Sequence, residues 1–206
     1  MRADQLLVER GLAVSRSQAQ RLIAAGVRWR LPGGAWQRVG KNGEAVPDTA
    51  ELALDDAAEA RYVSRGGLKL EAALAHTGVS VQGMLCLDVG QSTGGFTDCL
   101  LRQGAARVVG VDVGQGQLHE RLRADARVIA IEHCNARELS AARLREAAGE
   151  AAPGPFDLIV GDLSFISQTL VWPALVPLLK PDGHLLMLVK PQFELQPAHI
   201  GKGGLV

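Results

Sequence analysis

Asp88-Val89-Gly90-Gln91-Ser92-Thr93-Gly94-Gly95-Phe96 follows the apolar run that begins at Met84 and opens into the helical pattern Phe96–Arg102. A short apolar strand that ends in glycines and turns straight into a helix marks the ligand-binding edge of an open α/β sheet. Glycine lacks Cβ, so the backbone there can come close to a bound molecule. The next apolar run, Arg107–Val113, carries an acid near its end, Asp112, twenty-two residues beyond Gly90. That is the spacing at which a carboxylate accepts hydrogen bonds from ribose hydroxyls. The loop is not G-x-G-x-x-G, so a nicotinamide cofactor fits poorly, and no Gly-Lys-Ser/Thr follows, which excludes a Walker phosphate loop. The plainer reading, a glycine turn that only packs a helix, leaves the spaced acid unexplained.

Outward from this loop the period of the text stays the same. Met84–Val89, Arg107–Val113, Val128–Ile131, Asp157–Val160 and His184–Val189 are expected as strands. Phe96–Arg102, Gly116–Leu122, Leu139–Ala148 and Gln168–Leu179 are expected as the helices between them. Strands alternating with helices imply an α/β, Rossmann-like domain with a parallel sheet covered on both faces. Asp162 closes the fourth strand and Lys190 the fifth. In such a topology both fall at the same sheet edge as the glycine loop, and a lysine ending an apolar strand is costly without a partner. A plain salt bridge is the commoner reason for such a pair, but its place at the ligand edge, and Lys69 entering from upstream, favour chemistry.

Residues 1–60 read differently. Arg2, Arg10, Arg16, Arg21, Arg28, Arg30, Arg38 and Lys41 face only Asp4 and Glu9, whereas Glu44, Asp48, Glu51, Asp55, Asp56 and Glu59 follow without a base. A net charge of zero therefore hides a basic front, and phosphate attraction depends on clustering rather than on the sum. Leu6, Leu7 and Val8 lie in a short helical pattern that stops at Gly11. Ser15 with Gln18 makes a capping box for a second helix that buries Ala19, Leu22 and Ile23, turns Arg16 and Arg21 to solvent and ends at Gly26. Short strand-like runs around Val27–Arg30 and Glu51–Leu54 complete a small α+β unit. Residues 2–26 resemble the αL-type RNA-binding domain first seen in a ribosomal protein. That resemblance implies RNA contacts by Arg16, Arg21 and Arg28, and Arg2 and Arg65 join the same expected RNA-binding set. The family's usual valine–asparagine–glycine turn is replaced here by Trp29-Arg30-Leu31-Pro32-Gly33-Gly34. Residues 61–83 are expected as a linker and leading helix, and residues 84–206 as the larger domain.

Bulk composition narrows the class. Hydrophobic content is 47% with 4% aromatic, so the core must be aliphatic. Cys86, Cys99 and Cys134 are widely spaced, without a C-x-x-C pair, which fits reduced thiols and offers no metal site or disulfide frame. His133 has no second histidine or paired cysteine to share a metal. No apolar run approaches the roughly eighteen residues of a membrane span. The N-terminus lacks signal-peptide character, so a cytoplasmic location is expected.

Several ordered motifs then carry a resemblance over nearly the whole chain. They are Ser64-Arg65-Gly66-Gly67-Leu68-Lys69-Leu70, Asp88–Leu100, Val111-Asp112-Val113-Gly114, Asn135-Ala136-Arg137, Asp162-Leu163-Ser164-Phe165-Ile166-Ser167 and Val189-Lys190-Pro191-Gln192-Phe193-Glu194. Together they resemble the TlyA (haemolysin A-like) family, FtsJ-related ribosomal RNA 2′-O-methyltransferases. The resemblance implies S-adenosyl-L-methionine held by Asp88, Gly90, Gln91, Ser92, Thr93, Gly94, Gly95, Phe96, Asp112, Val113 and Asn135. It implies catalytic roles for Lys69, Asp162 and Lys190 within a Lys-Asp-Lys-Glu set, and ribosomal RNA or ribosomal subunits as partner. Asp162-Leu163-Ser164-Phe165 lacks the prolines of enzymes that methylate exocyclic base amines, and Cys134 lacks the proline neighbour of a cytosine-C5 nucleophile.

A ribose hydroxyl is a poor nucleophile that needs alignment and help in losing its proton. The expected division of labour makes Lys190 the base or orienting group, Asp162 its orienter and Lys69 an electrostatic aid. The class-I sheet implied by the resemblance has seven strands, and the sixteen residues after Lys190 leave no room for the last hairpin, which normally brings the glutamate. Glu194 is too close to Lys190 to stand in for it. A bare fifth strand would be an exposed edge, where a homodimer could form. A catalytically impaired RNA- and cofactor-binding remnant is the competing reading. A membrane-acting haemolysin is weakest, because nothing spans or lies in a bilayer.

Overall fold

The structure, a computed structural model, describes residues 1–55, 61–149, 154–195 and 197–201. Asp56 and Glu59 of the acidic run lie outside the described residues. The chain divides into two compact units, Met1–Leu68 and Lys69–Val206, so the division falls inside the expected linker 61–83.

In the first unit, helices α1 (Ala3–Glu9) and α2 (Arg16–Gly26) pack beside a three-stranded antiparallel sheet. Its strands are β1 (Val27–Arg30), β2 (Gln37–Arg38) and β3 (Glu51–Leu54), in the order β2-β1-β3. Leu6, Leu7, Leu22, Ile23, Val27, Val39 and Val46 form its buried core. The Ser15 hydroxyl accepts from the Gln18 amide at 3.2 Å, as a capping box requires. The Gln18 side chain goes elsewhere: its Oε1 accepts from Val14 N at 2.7 Å and its Nε2 donates to the Tyr62 carbonyl at 3.0 Å. Burial of that carboxamide explains the change, because a buried amide needs partners for both its ends.

Arg16 does not simply turn to solvent. Asp4 is fully buried, and Arg2 donates to it through Nε and Nη2, both at 3.0 Å, while Arg16 Nη2 donates at 3.2 Å. These charge-assisted bonds tie the start of α1 to the start of α2. They hold the Asp4 carboxyl well below the usual carboxylate range, the Arg2 bonds contributing most.

The second unit opens with α3 (Gly66–Thr77), a helix that begins at the end of the first unit. A five-stranded sheet follows, in which every neighbouring pair is parallel. Its strands are β4 (Leu85–Val89), β5 (Arg107–Val111), β6 (Val128–Ile131), β7 (Phe156–Gly161) and β8 (Leu179–Met187), in the order β6-β5-β4-β7-β8. This is an α/β, Rossmann-like fold. Between the strands lie α4 (Gly95–Arg102), α5 (Glu120–Arg123) and α6 (Ala141–Ala148). Leu87, Val89, Val109, Val111, Phe156 and Ile159 centre the core. The central strands are buried on both faces and so read as unbroken apolar runs.

Two expected helices are much shorter than their patterns. Gly114 and Gly116 leave 112–118 as loop, and only Glu120–Arg123 coils, capped by His119. Pro173 and Pro177 split the expected helix 168–179 into Gln168–Leu170, α7 (Trp172–Leu175) and Val176–Leu178. The last strand starts five residues earlier than its apolar run, at Leu179, and carries Pro181 across an irregular register between Phe156 and Leu158. Proline is tolerated there because, among the described residues, β8 pairs on one side alone. It ends at Met187, so Lys190 lies beyond the strand and caps α8 (Pro191–Glu194).

Asp4→Ala is expected to lower the unfolding midpoint of the first unit by about 5 °C or more. A carboxyl held low in the folded state stabilises above its unfolded pKa, and that contribution is lost as pH falls. The gap between variant and parent therefore persists above about pH 4 and closes below it; thermal melts from pH 2 to 7 measure it.

Candidate active site

Strand β4 sits at the centre of the sheet, with β5 on one side and β7 on the other. The chain moves outward through β5 and β6, then returns to place β7 against β4. The loops leaving β4 and β7 consequently diverge, and a crevice opens at the carboxyl ends of the strands. It is a cavity of about 390 Å³ lined by Gly90 and Ser92 from the first loop and Val111, Asp112 and Val113 from the second. Gln117, Cys134 and Ala136, with Asp162, Leu163, Ser164 and Phe165, complete it.

Gly90 has φ +82°, and a Cβ there would meet Leu163 Cδ2 at 3.0 Å. Gly94 has φ +95°, and a Cβ there would stand 2.4 Å from Leu122. Both positions require glycine, the first to let Leu163 and the Asp162 carbonyl come close to the loop, the second to let Leu118 and Leu122 pack against the start of α4. Asp112 organises the other wall. Its Oδ2 accepts from the Ser92 amide and its Oδ1 from the Gly114 amide, both at 2.7 Å. Two backbone donors leave about half of a carboxylate's acceptor capacity for a ligand. Ser92 takes a left-handed φ of +48° to make this contact, and its hydroxyl donates to Gln117 Oε1 at 3.1 Å.

The remaining residues expected around the cofactor are divided by burial. Asp88 is buried and accepts from Thr97 N at 2.9 Å and Thr97 Oγ1 at 2.7 Å. Burial pushes its carboxyl up to about 7 against the pull of those donors. Gln91 is buried as well, donating to Thr97 Oγ1 at 2.9 Å and lying over Gly110 of β5. Gly95 and Phe96 are buried in α4. These four brace the loop from beneath and are not among the residues lining the cavity. Thr93 accepts from the His119 amide through its carbonyl. Asn135 accepts from Arg137 N at 3.1 Å and caps a short turn, while its neighbours Cys134 and Ala136 face the cavity. Val111, Gln117, Cys134, Ala136, Leu163, Ser164 and Phe165 were not among the residues expected there. All but Gln117 had a signal, their adjacency to Asp112, Asn135 or Asp162. Burial pushes the Cys134 thiol up, so it serves as neutral apolar wall.

Lys69 and Lys190 meet at Asp162, which lines the cavity with Ser164. Lys69 Nζ donates to Asp162 Oδ2 at 3.1 Å, and Lys190 Nζ lies 2.6 Å from Asp162 Oδ1 and donates to Ser164 Oγ at 2.7 Å. Partial burial raises the Asp162 carboxyl, but the two ammonium groups outweigh it and leave it below the usual carboxylate range. An ionised carboxylate between two cations leaves net positive charge on the wall, where an alkoxide or phosphate is favoured. Beside it Phe165 is 91% exposed with a left-handed φ of +64°, its ring 5.2 Å from that of Phe193. Glu194 is not part of this cluster: it accepts from Ser167 Oγ at 2.5 Å and Gln168 N at 2.9 Å, pinning the loop after β7.

Of the residues expected to touch RNA, Arg2 and Arg16 hold Asp4, Arg21 donates to the Ser17 carbonyl at 3.3 Å, and Arg28 pairs with Asp55 at 2.5 Å. Arg65 is exposed just ahead of α3.

Comparison with known proteins agrees with this geometry. The family model described as FtsJ-like methyltransferase matches residues 62–206, and the S4 domain model matches residues 1–26. The 16S/23S rRNA (cytidine-2'-O)-methyltransferase TlyA of Mycobacterium tuberculosis is 47% identical over 205 residues, covering 100% of this chain and 72% of that protein. Hemolysin A of Brachyspira hyodysenteriae is 39% identical over 206 residues, covering 100% of this chain and 80% of its own. A solved hemolysin-named structure from Streptococcus thermophilus superposes with TM-score 0.69 at 42% identity, over 98% of this chain and 70% of that one. With a cavity at the switch point of a parallel sheet and a family match over most of its length, the chain belongs to the FtsJ-like methyltransferase family and carries an S4 domain at its front.

Proposed function

We propose that this enzyme methylates the 2′-hydroxyl of a ribose in ribosomal RNA, using S-adenosyl-L-methionine as donor. The observation that carries the reading is the Lys69–Asp162–Lys190 cluster, whose Asp162 lines a cavity that Asp112 also lines. The residues present fit the donor. The cavity volume suits a small molecule, Gly90 leaves the backbone open, and Asp112 retains acceptor capacity for a ribose diol. Val113, Cys134, Ala136 and Leu163 supply apolar surface for a purine. When bound, S-adenosyl-L-methionine supplies a methyl group on a sulfonium, open to in-line attack by oxygen.

The protein's part is to prepare the attacking hydroxyl. Asp162 and Ser164 fix the Lys190 amine, leaving it one position for the hydroxyl: as an ammonium it orients the oxygen, and in its neutral form its lone pair takes the proton. Lys69, held by the other oxygen of Asp162, stabilises the negative charge that develops on the ribose oxygen. Phe165 presents an exposed ring in a strained backbone beside this cluster, an arrangement suited to stacking on the target base. Arg2, Arg16, Arg21, Arg28 and Arg65 offer cations to the RNA backbone. Support for the RNA substrate comes from the S4 match at residues 1–26 and from the Mycobacterium tuberculosis relative, named for rRNA cytidine-2'-O-methylation. Among the described residues, no helix is long and apolar enough to cross a membrane. The outer edge of β8, unpaired among the described residues, is where a second copy would add.

Transfer of tritiated methyl to unmodified ribosomal subunits, with nucleoside analysis of the product, tests the reading. A 2′-O-methylated nucleoside is expected. Cofactor binding without transfer would select a binding role instead, and a product methylated on a base would refute the assignment. Lys190→Ala is expected to lower kcat at least about 100-fold with cofactor affinity within about threefold of the parent. Asp112→Ala is expected to raise the cofactor Kd about tenfold or more, measured by calorimetry. Phe165→Ala is expected to raise KM for RNA about tenfold without altering cofactor Kd, with Phe165→Trp restoring it.

A further inference from the structure

The β1–β2 hairpin carries a surface that the cofactor cavity does not account for, and it lies beyond the residues matched by the S4 model. The strands alternate cleanly. Val27, Trp29, Leu52 and Leu54 face the core of the first unit, with Val39 just beyond β2. The opposite face carries Arg28 and Arg30 from β1, Arg38 from β2, and Glu51 from β3 with Asp55 just after it. Arg28 stands directly across from Arg38 in the register, a like-charge pairing that costs stability unless something negative covers it.

Asp55 and Glu51 cover part of the charge, accepting from Arg28 and Arg30 respectively. Arg38 has no ion-pair partner among the described residues. Trp36, at the entry to β2, lies against the same cations, with the Arg30 guanidinium 4.6 Å and the Arg28 guanidinium 5.9 Å from its ring centroid. Trp36 nevertheless stays 38% exposed, with Leu31 at 46% on the same turn.

We propose that this outer hairpin face is an RNA-binding surface, with Trp36 a stacking platform for an unpaired base and Arg28, Arg30 and Arg38 contacts for the flanking phosphates. The inference rests on the reading of this protein as an RNA methyltransferase. A large aromatic left in water beside clustered guanidiniums suits a ligand that offers a π-face and an anion within one repeat unit, and single-stranded RNA does so at every nucleotide. The pairs to Asp55 and Glu51 are exposed and worth little individually, so phosphate can replace the carboxylates at small cost.

The test uses the full chain with protein-free ribosomal RNA and with unmodified subunits, measuring Kd from 50 to 200 mM salt. Trp36→Ala is expected to weaken binding about tenfold, Trp36→Phe to recover most of it, and neither to change cofactor Kd or the unfolding midpoint. Arg38→Ala is expected to weaken binding and reduce the salt slope by about one. Undiminished RNA binding by Trp36→Ala overturns the proposal and leaves the methyltransferase reading standing. Equal losses in the Ala and Phe variants with a lowered midpoint overturn it in favour of a structural role. Loss of binding to phosphatidylserine vesicles with RNA binding intact overturns it in favour of a lipid-facing surface. A parent protein that neither binds nor methylates RNA overturns both readings together.

Discussion

Parallel pairing of β4 with both β5 and β7 is the constraint from which the rest of the larger unit follows. Parallel strands all deliver their carboxyl ends to the same edge, so residues far apart in sequence converge there without any contact specifying the convergence. Because β4 is flanked by the strand after it and by the strand that returns from β6, its exit loop cannot pack against both neighbours' loops. The crevice is thus a consequence of strand order, and the side chains only decide what it holds. Gly90 lines it without a side chain, and the Asp112 bonds to Ser92 N and Gly114 N tie the loops after β4 and β5 together.

Three aspartates near this edge show how environment divides one residue type among different tasks. Asp88 is sealed under the loop, accepting from Thr97 alone among the described residues, and burial dominates. Asp162 is less buried and lies between two ammonium groups, so attraction wins over burial. Asp112 is held by two backbone amides and remains at the cavity surface. The negative charge of Asp112 and Asp162 itself helps to push Asp88 upward, so the three are electrostatically one system. Asp88 braces the loop and is not among the residues lining the cavity, whereas Asp112 and Asp162 line it.

The strands were legible because a sheet buried on both faces writes each strand as an apolar run. Its helices were less so. The 116–122 pattern starts on Gly116, which weakens a helix, and the 168–179 pattern holds Pro173 and Pro177, local costs that outweighed the apolar spacing. At the site, the glycine loop pointed to the right edge, but a contiguous motif cannot say which of its residues face up. Asp88, Gln91, Gly95 and Phe96 face the core, and the cavity takes Gln117, Cys134 and Leu163 instead. Such residues enter by topology from separate loops, and no spacing rule on one segment announces them. Asp162 and Lys190 were legible because a charge ending an apolar run needs a partner, although Lys190 reaches Asp162 from beyond the strand end.

Counting cations along the front of the chain overstates what an RNA would meet. Arg2 and Arg16 are committed to a buried carboxylate, and withdrawing either from Asp4 would leave a desolvated charge short of partners. They bind phosphate only with the donors that Asp4 leaves over. Arg28 and Arg30 are paired with exposed acids instead, and exchanging one anion for another at the surface changes little. The sequence places the basic run before the acidic one, but the fold interleaves them, since β3 brings Glu51 against Arg30 in register. The cations most open to RNA are therefore set by what each arginine would have to give up, and that favours the hairpin face over the helix starts.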